Sequence, residues 1–227
     1  MTPDLSTLPL EATMIHTRVR PEPQPGDELG LTRWLDDVDK SMVFRPASAL
    51  GMSCGTVTID PRRAKVLVIW NNRLKLYQLP KGRRNLNESM LDAALRETYE
   101  ETGLHVTPLQ LDIATRATLP LTQRPDTSKK PPNITVGHPS NEYVGAYSYP
   151  DPQSETEAMK IVYFFAATAD CTDTGDAGAQ EEWEKLDAKW IPLSEIASTL
   201  RFGAEIQMVM KTVEDMKKSG YAIGVAP

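Results

Sequence analysis

The chain is poor in the residues that several chemistries require. It has two cysteines in 227 residues, Cys54 and Cys171. Neither sits in a CxxC pair, which argues against a zinc site, and two isolated thiols read as reduced and structural rather than as a disulfide. The three histidines, His16, His105 and His138, are scattered, so no histidine catalysis is assigned. The apolar runs, such as Ile161 to Ala167, are far too short to span a bilayer. The first residues lack the basic start and apolar stretch of a signal peptide, which reads as a cytoplasmic protein; a secreted chain whose signal had been removed would look the same. Positive charge is also in short supply. Lys and Arg number 25 against 31 Asp and Glu, a net charge of −6. That disfavours broad binding to nucleic acid but leaves room for a small anionic substrate, because a local basic patch and a bound metal reverse the field where it matters. No internal repeat is visible.

What is present suits a folded protein: 40% hydrophobic and 25% charged residues. Residues 1–46 read as an arm, with Pro21-Glu22-Pro23-Gln24-Pro25-Gly26 as an extended linker and a short helix over Leu31 to Met42, where Trp34 and Val38 share a face. A domain is expected over 47–220, followed by a tail at 221–227. Strand composition marks Gly51–Ile59 and Lys65–Trp70, then a tight turn at Asn71-Asn72-Arg73 into Leu74–Leu79. Further strand-like segments are Ile113–Leu121, Lys160–Ala167 and Lys189–Ile191. The polar, Pro-rich segment 122–141, with Lys129-Lys130-Pro131-Pro132, reads as a surface insertion. Helices are expected over Leu193–Leu200 and Ala204–Lys218; in the second, Ile206, Val209, Met210, Val213 and Met216 share a face and Gly220 is a stop. This order indicates an α/β domain, with helices covering a mixed sheet.

The informative stretch runs from Leu79 to Leu104. Ser89 is a plausible N-cap, with Asp92 three residues on, and Gly103 is a left-handed stop. Leu91, Ala94, Leu95, Thr98 and Thr102 share the core-facing side. Glu97, Glu100 and Glu101 lie on an adjacent stripe. Three carboxylates near a helix C-terminus repel one another and oppose the dipole. Either they form a solvated acidic face, or a hard cation such as Mg²⁺ or Mn²⁺ sits among them. Lys81, Arg83 and Arg84, ahead of the helix, are either surface charge or a phosphate clamp.

This stretch resembles the Nudix box, Gly-x5-Glu-x7-Arg-Glu-apolar-x-Glu-Glu-x-Gly-apolar. Gly82, Glu88, Arg96, Glu97, Glu100, Glu101, Gly103 and Leu104 match at the right spacing; Thr98 stands where the family usually has an aliphatic residue. The order of elements extends the likeness to about residues 47–218. The resemblance implies a Nudix-type α/β/α sandwich and a Mg²⁺-dependent pyrophosphohydrolase, Mn²⁺ being possible, in which metal-activated water attacks one phosphorus of a diphosphate. It implies that the Lys81 carbonyl, Glu97, Glu100 and Glu101 hold the metals, that Arg96 orients the glutamates, and that Glu88 braces the loop or contacts a second ion. Family members often supply another carboxylate six residues before a Trp that begins the last strand. Trp190 suggests Glu184 for that role, with Glu181, Glu182, Glu155 and Glu157 as alternatives. Lys81, Arg83, Arg84, Lys129 and Lys130 are the candidate substrate-binding cations. The expected partner is a small, highly phosphorylated substrate, with no membrane. The Leu79-Pro80-Lys81-Gly82 approach resembles Nudix enzymes acting on diadenosine polyphosphates and on diphosphoinositol polyphosphates; the candidate cations lean the reading towards the latter, since a dinucleotide would need Tyr77, Tyr143 or Tyr147 to stack a base. A catalytically silent Nudix-fold binding module is the remaining alternative.

Overall fold

The computed structural model describes residues 21–152, 154, 158–176 and 186–224. The chain divides into two units, Met1–Pro46 and Ala47–Pro227. In the first, Asp27 caps helix α1 (Glu28–Ser41) by accepting the Gly30 N–H at 2.8 Å. The helix therefore begins earlier than the Leu31 expected from its apolar pattern, because the cap and not the first large apolar residue sets the start.

In the second unit, β1 (Leu50–Asp60) is the axis of the sheet. It pairs in parallel with β7 (Met159–Thr168) along ten residues, from Leu50 opposite Met159 to Ile59 opposite Thr168. Its other edge is shared. At Ser53, Cys54 and Gly55 it pairs antiparallel with β4 (Lys81–Arg83), and at its far end it meets β2 (Lys65–Asn71). β2 in turn carries β3 (Leu76–Gln78) and β8 (Leu186–Pro192), while β7 carries β5 (Thr107–Pro108) and β6 (Tyr143–Pro150). One strand pairing in parallel and the rest antiparallel makes the sheet mixed.

The period-2 alternation of β1 divides the core between two faces. Val57 and Ile59 join Phe164, Met208, Val209 and Met216 in the larger cluster, under α4 (Gly203–Lys218). Cys54 points the other way and packs on Ala93 and Ala94 of α2 (Met90–Thr102). One helix on each face gives the α/β/α sandwich. Cys54 and Cys171 are both free.

Three sequence readings change. The turn after β2 runs through Lys75, with φ +55°, because the Asn71 side chain accepts both the Arg73 and Leu74 N–H groups; β3 is correspondingly short. Ile113–Leu121 is not a strand: only Thr115 pairs, with Thr135, and Ile113 is buried by the large cluster rather than by a ladder. The helix read over 193–200 is a 3-10 turn followed by a single α-turn, α3 (Ile196–Thr199). β4, β5 and β6 were not anticipated.

Candidate active site

Helix α2 is fixed at both ends. Ser89 Oγ accepts the Asp92 N–H at 3.1 Å, and Gly103 closes the helix with φ +73°. The helix thereby sets Arg96, Glu97, Glu100 and Glu101 against the short strand β4. The closest approach is at Gly82: a Cβ built there would lie 1.7 Å from Glu97 Oε2. Only glycine lets the carboxylate settle on the strand.

Arg96 organises the cluster. Its Nε donates to Glu88 Oε1 at 2.8 Å and its Nη2 to Glu88 Oε2 at 3.0 Å, a bidentate pair. Its Nη1 donates to Glu97 at 2.8 Å and to Glu100 at 2.7 Å, and Nη2 also reaches the Arg83 carbonyl at 3.0 Å. The hydrogen bonds to Glu88 above all, with those to Glu97 and Glu100, raise the guanidinium further above its ordinary pKa against the opposing effect of burial. Glu88 is held below the ordinary 4.5 by Arg96 first, against burial, with help from the Asn85 N–H. Glu88 is thus occupied as a brace of the loop. Arg84 adds to it, donating to the Glu88 carbonyl at 2.7 Å. Glu101 is tied to the strand: Oε2 accepts the Lys81 N–H at 2.7 Å.

The candidate donors here, the Glu97, Glu100 and Glu101 carboxylates and the Lys81 carbonyl, are all hard oxygens, which suit a small divalent cation. The three carboxylates do not bring their oxygens together within 4.8 Å, as one other group among the described residues does.

Lys81 also lines a cleft of about 710 Å³ on the α4 face of the sheet, with Lys160, Arg73, Tyr147, Tyr149 and Phe202 among its walls. Register places Arg83, Ser53 and Val162 in one row across β4, β1 and β7, with Lys81 and Lys160 in the rows on either side. Burial lowers the Lys160 ammonium pKa and Lys81 and Arg83 lower it further, against Asp151 and Glu101. The Ser53 hydroxyl, 1% exposed, is buried in this row with no hydrogen-bond partner among the described residues.

Not every expected residue comes to the site. Lys129 pairs with Asp126 at 3.2 Å, and neither Lys129 nor Lys130 lines the cleft. The base of the insertion is anchored elsewhere: the Asp112 N–H donates to Ser219 at the C-terminal end of α4, whereas the cleft lies at its N-terminal end. Glu155, Glu157, Glu181, Glu182 and Glu184 lie outside the described residues. Lys160 and Ser53 were not singled out in the sequence. The available signal was a lysine in phase with Val162, Phe164 and Ala166 on a buried strand. A different group, Asp60, Asp170 and Cys171, brings ligand atoms within 4.8 Å at the far end of β1. There Arg63 already spans Asp60 at 2.9 Å and Asp170 at 2.8 Å, so the group acts as an ionic brace.

The NUDIX domain matches residues 50–210, well over half of the chain, and the protein belongs to the Nudix family. It is a hydrolase acting on phosphoric anhydrides, in a family whose members use divalent metals. No curated protein matches the chain in sequence. Among solved structures, it is similar to a NUDIX hydrolase from Nitrosomonas europaea, with TM-score 0.47 and 15% identity over 76% of this chain and 91% of that one. It is also similar to the C. elegans Ap4A hydrolase, with TM-score 0.46 and 15% identity over 73% of this chain and 97% of that one. The E. coli dihydroneopterin triphosphate pyrophosphohydrolase gives TM-score 0.46 and 13% identity over 70% and 92%. No helix among the described residues is long and apolar enough to cross a membrane.

Proposed function

We propose that the protein is a Mg²⁺-dependent pyrophosphohydrolase that cleaves a diphosphate on a small, densely phosphorylated substrate, a diphosphoinositol polyphosphate being favoured. The observation that carries the substrate reading is that Lys81 and Lys160 line one cleft, close enough to influence each other, with Arg83 two residues beyond Lys81 on the same strand. Neighbouring cations on this scale suit several phosphate groups better than one.

Glu97, Glu100, Glu101 and the Lys81 carbonyl would hold the metal, which when bound activates water and neutralises charge on the departing phosphate. The protein's own task is orientation. Arg96 fixes the side chains of Glu97 and Glu100, and the Lys81 N–H fixes Glu101. Glu100, with its side chain 39% exposed, has the most open position from which to accept a proton. Glu184 is retained as a further ligand or base. Lys81, Lys160 and Arg83 hold the phosphates that are not cleaved. Arg84 acts indirectly, through the Glu88 carbonyl, and Lys129 and Lys130 are not part of this reading.

Tyr147, Tyr149 and Phe202 in the same cleft favour a second reading, a dinucleoside polyphosphate with one base on an aromatic wall. A panel with Mg²⁺ separates them. Phosphate release from a diphosphoinositol polyphosphate supports the first reading. Fast cleavage of diadenosine tetraphosphate, with no phosphate from the inositol compound, overturns it in favour of the second. Metal-dependent release from neither, nor from nucleotide sugars, capped RNA or oxidised nucleotides, indicates a silent binding module.

A further inference from the structure

Glu205 is an ionisable residue in a place where charge is costly: burial raises its carboxyl pKa, against Lys81, the Leu79 N–H and the Tyr147 hydroxyl. It lies in the first turn of α4 and is fully buried, among Met208, Val209 and the rest of the larger cluster. Its carboxylate makes two contacts to different parts of the site. Oε2 accepts the Leu79 N–H at 3.1 Å, and Oε1 accepts the Tyr147 hydroxyl at 3.1 Å. Leu79 begins the Leu79-Pro80-Lys81-Gly82 segment that carries the Lys81 carbonyl; Tyr147 is a wall of the cleft. Burial first, and Glu205 next, push the Tyr147 phenol far above its ordinary pKa, so it stays a donor.

A leucine or methionine would fill this position and extend the apolar face of α4 at no desolvation cost. Buried polar groups of this kind are replaceable by apolar ones without loss of stability, often with a gain. What an apolar residue cannot do is hold two donors, one between β3 and β4 and one on β6, at fixed positions. Pro80 has no N–H to anchor its own backbone, so the Leu79 N–H is the last amide before Lys81 that can fix the approach to the box. Lys81 is held from the other side by Glu101. The short segment is therefore gripped by one carboxylate from each helix, Glu101 from α2 and Glu205 from α4.

We infer that Glu205 is a positioning residue: it fixes the Leu79–Gly82 segment, and with it the Lys81 carbonyl, in register with the α2 glutamates, and it locks Tyr147 in the cleft wall through the same carboxylate. This rests on the metal site proposed above. The test uses the full chain with Mn²⁺ alone as the binding probe, alongside thermal melting and metal-dependent hydrolysis of the substrate found in the panel. Glu205→Gln keeps an oxygen for the Leu79 N–H and an amide to meet the Tyr147 oxygen, whereas Glu205→Asp keeps the charge but is too short to span both. The expected result is a loss of Mn²⁺ affinity of about 10- to 100-fold in Glu205→Asp, the scale for residues that orient metal ligands. Glu205→Gln should stay within about threefold of the parent, in line with retention of both contacts. A purely structural role would lower the melting temperature of Glu205→Asp and leave the affinity of the folded protein unchanged. Glu205→Leu, if it folds, gives a second reading with both contacts removed. Folded Glu205→Asp or Glu205→Leu with parental Mn²⁺ affinity and parental kcat overturns the inference alone. A parent protein that binds no Mn²⁺ overturns it together with the proposed function.

Discussion

The carboxylate of Glu97 rests directly on the α-carbon of Gly82, and the Arg96 guanidinium holds it there. A strand residue and a helix residue fifteen positions later thus form one surface, and neither is adjustable without the other.

Gly82→Ala therefore tests the cradle by the smallest possible change. The added methyl forces Glu97 off the strand. We expect kcat to fall by roughly 10²- to 10³-fold, as for a lost electrostatic contributor, with a clear drop in Mn²⁺ affinity. Parental turnover in Gly82→Ala would mean that the position of Glu97 is immaterial.

Glu101→Gln removes charge and keeps an oxygen for the Lys81 N–H. The fold should be intact, metal-free stability level or higher through relieved repulsion, and kcat lower by roughly 10²- to 10⁴-fold. Turnover and melting temperature measured together decide it; near-normal turnover would remove Glu101 from the metal site.

Lys160→Met should raise KM strongly with a smaller effect on kcat, and the effect should grow at low salt, where charge is least screened. Arg83→Ala should act in the same direction. A salt-independent KM in the parent protein would show that this row of cations does not meet substrate phosphates.

Replacing Glu184 with Gln should lower kcat far more than replacing Glu182 with Gln, if Glu184 serves as ligand or base. Equal, mild effects on kcat would show that this stretch does no chemistry.

Acid stability has a specific source in Asp60. Burial alone would raise its pKa, but the N–H groups of Cys171 and Arg63 and the Arg63 guanidinium outweigh that and hold it at about 2, below the ordinary 3.8. A depressed carboxyl stabilises the fold fully above its unfolded value and loses that contribution as pH falls through the folded value. The window therefore runs from about pH 4 down to about pH 2, and the contribution is on the order of 2 kcal/mol. Urea unfolding across that window should lose this amount in the parent and not in Asp60→Asn. Parallel pH profiles for the two proteins would refute the assignment.

Much of this was legible before the structure, for reasons that can be named. The box was readable because local spacing fixes a helix face: Ser89, Gly103 and the glutamate stripe need no information from elsewhere in the chain. Thr98, the one departure from the family pattern, has its explanation 42 residues away. Its hydroxyl lies 2.8 Å from Thr56 Oγ1 and donates to the Ala94 carbonyl, so a polar residue on β1 is matched by a polar residue on α2. Strand β6 carries a bulge between Tyr143 and Gly145, which sets Tyr143 opposite Phe165 but Tyr147 opposite Val162, so its tyrosines do not follow one period-2 pattern. Lys81 and Arg83 were legible beside the box, but Lys160 escaped for a deeper reason. Arg83 and Lys160 are neighbours only through register across β4, β1 and β7, which no single segment encodes.

The central pairing of β1 with β7 has a consequence for how the protein comes to exist. Thr168 donates to the Ile59 carbonyl across 109 residues of chain, and the nine other partner pairs of β1 and β7 sit at the same separation. Contacts of that range must close a long loop before they return any stability, which places such folds among the slower ones. During synthesis the whole box leaves the ribosome well before β7 is made, with its glutamates clustered and its apolar side uncovered. The box is thus completed early and sheltered late, and the interval between the two is when the chain is most exposed to aggregation.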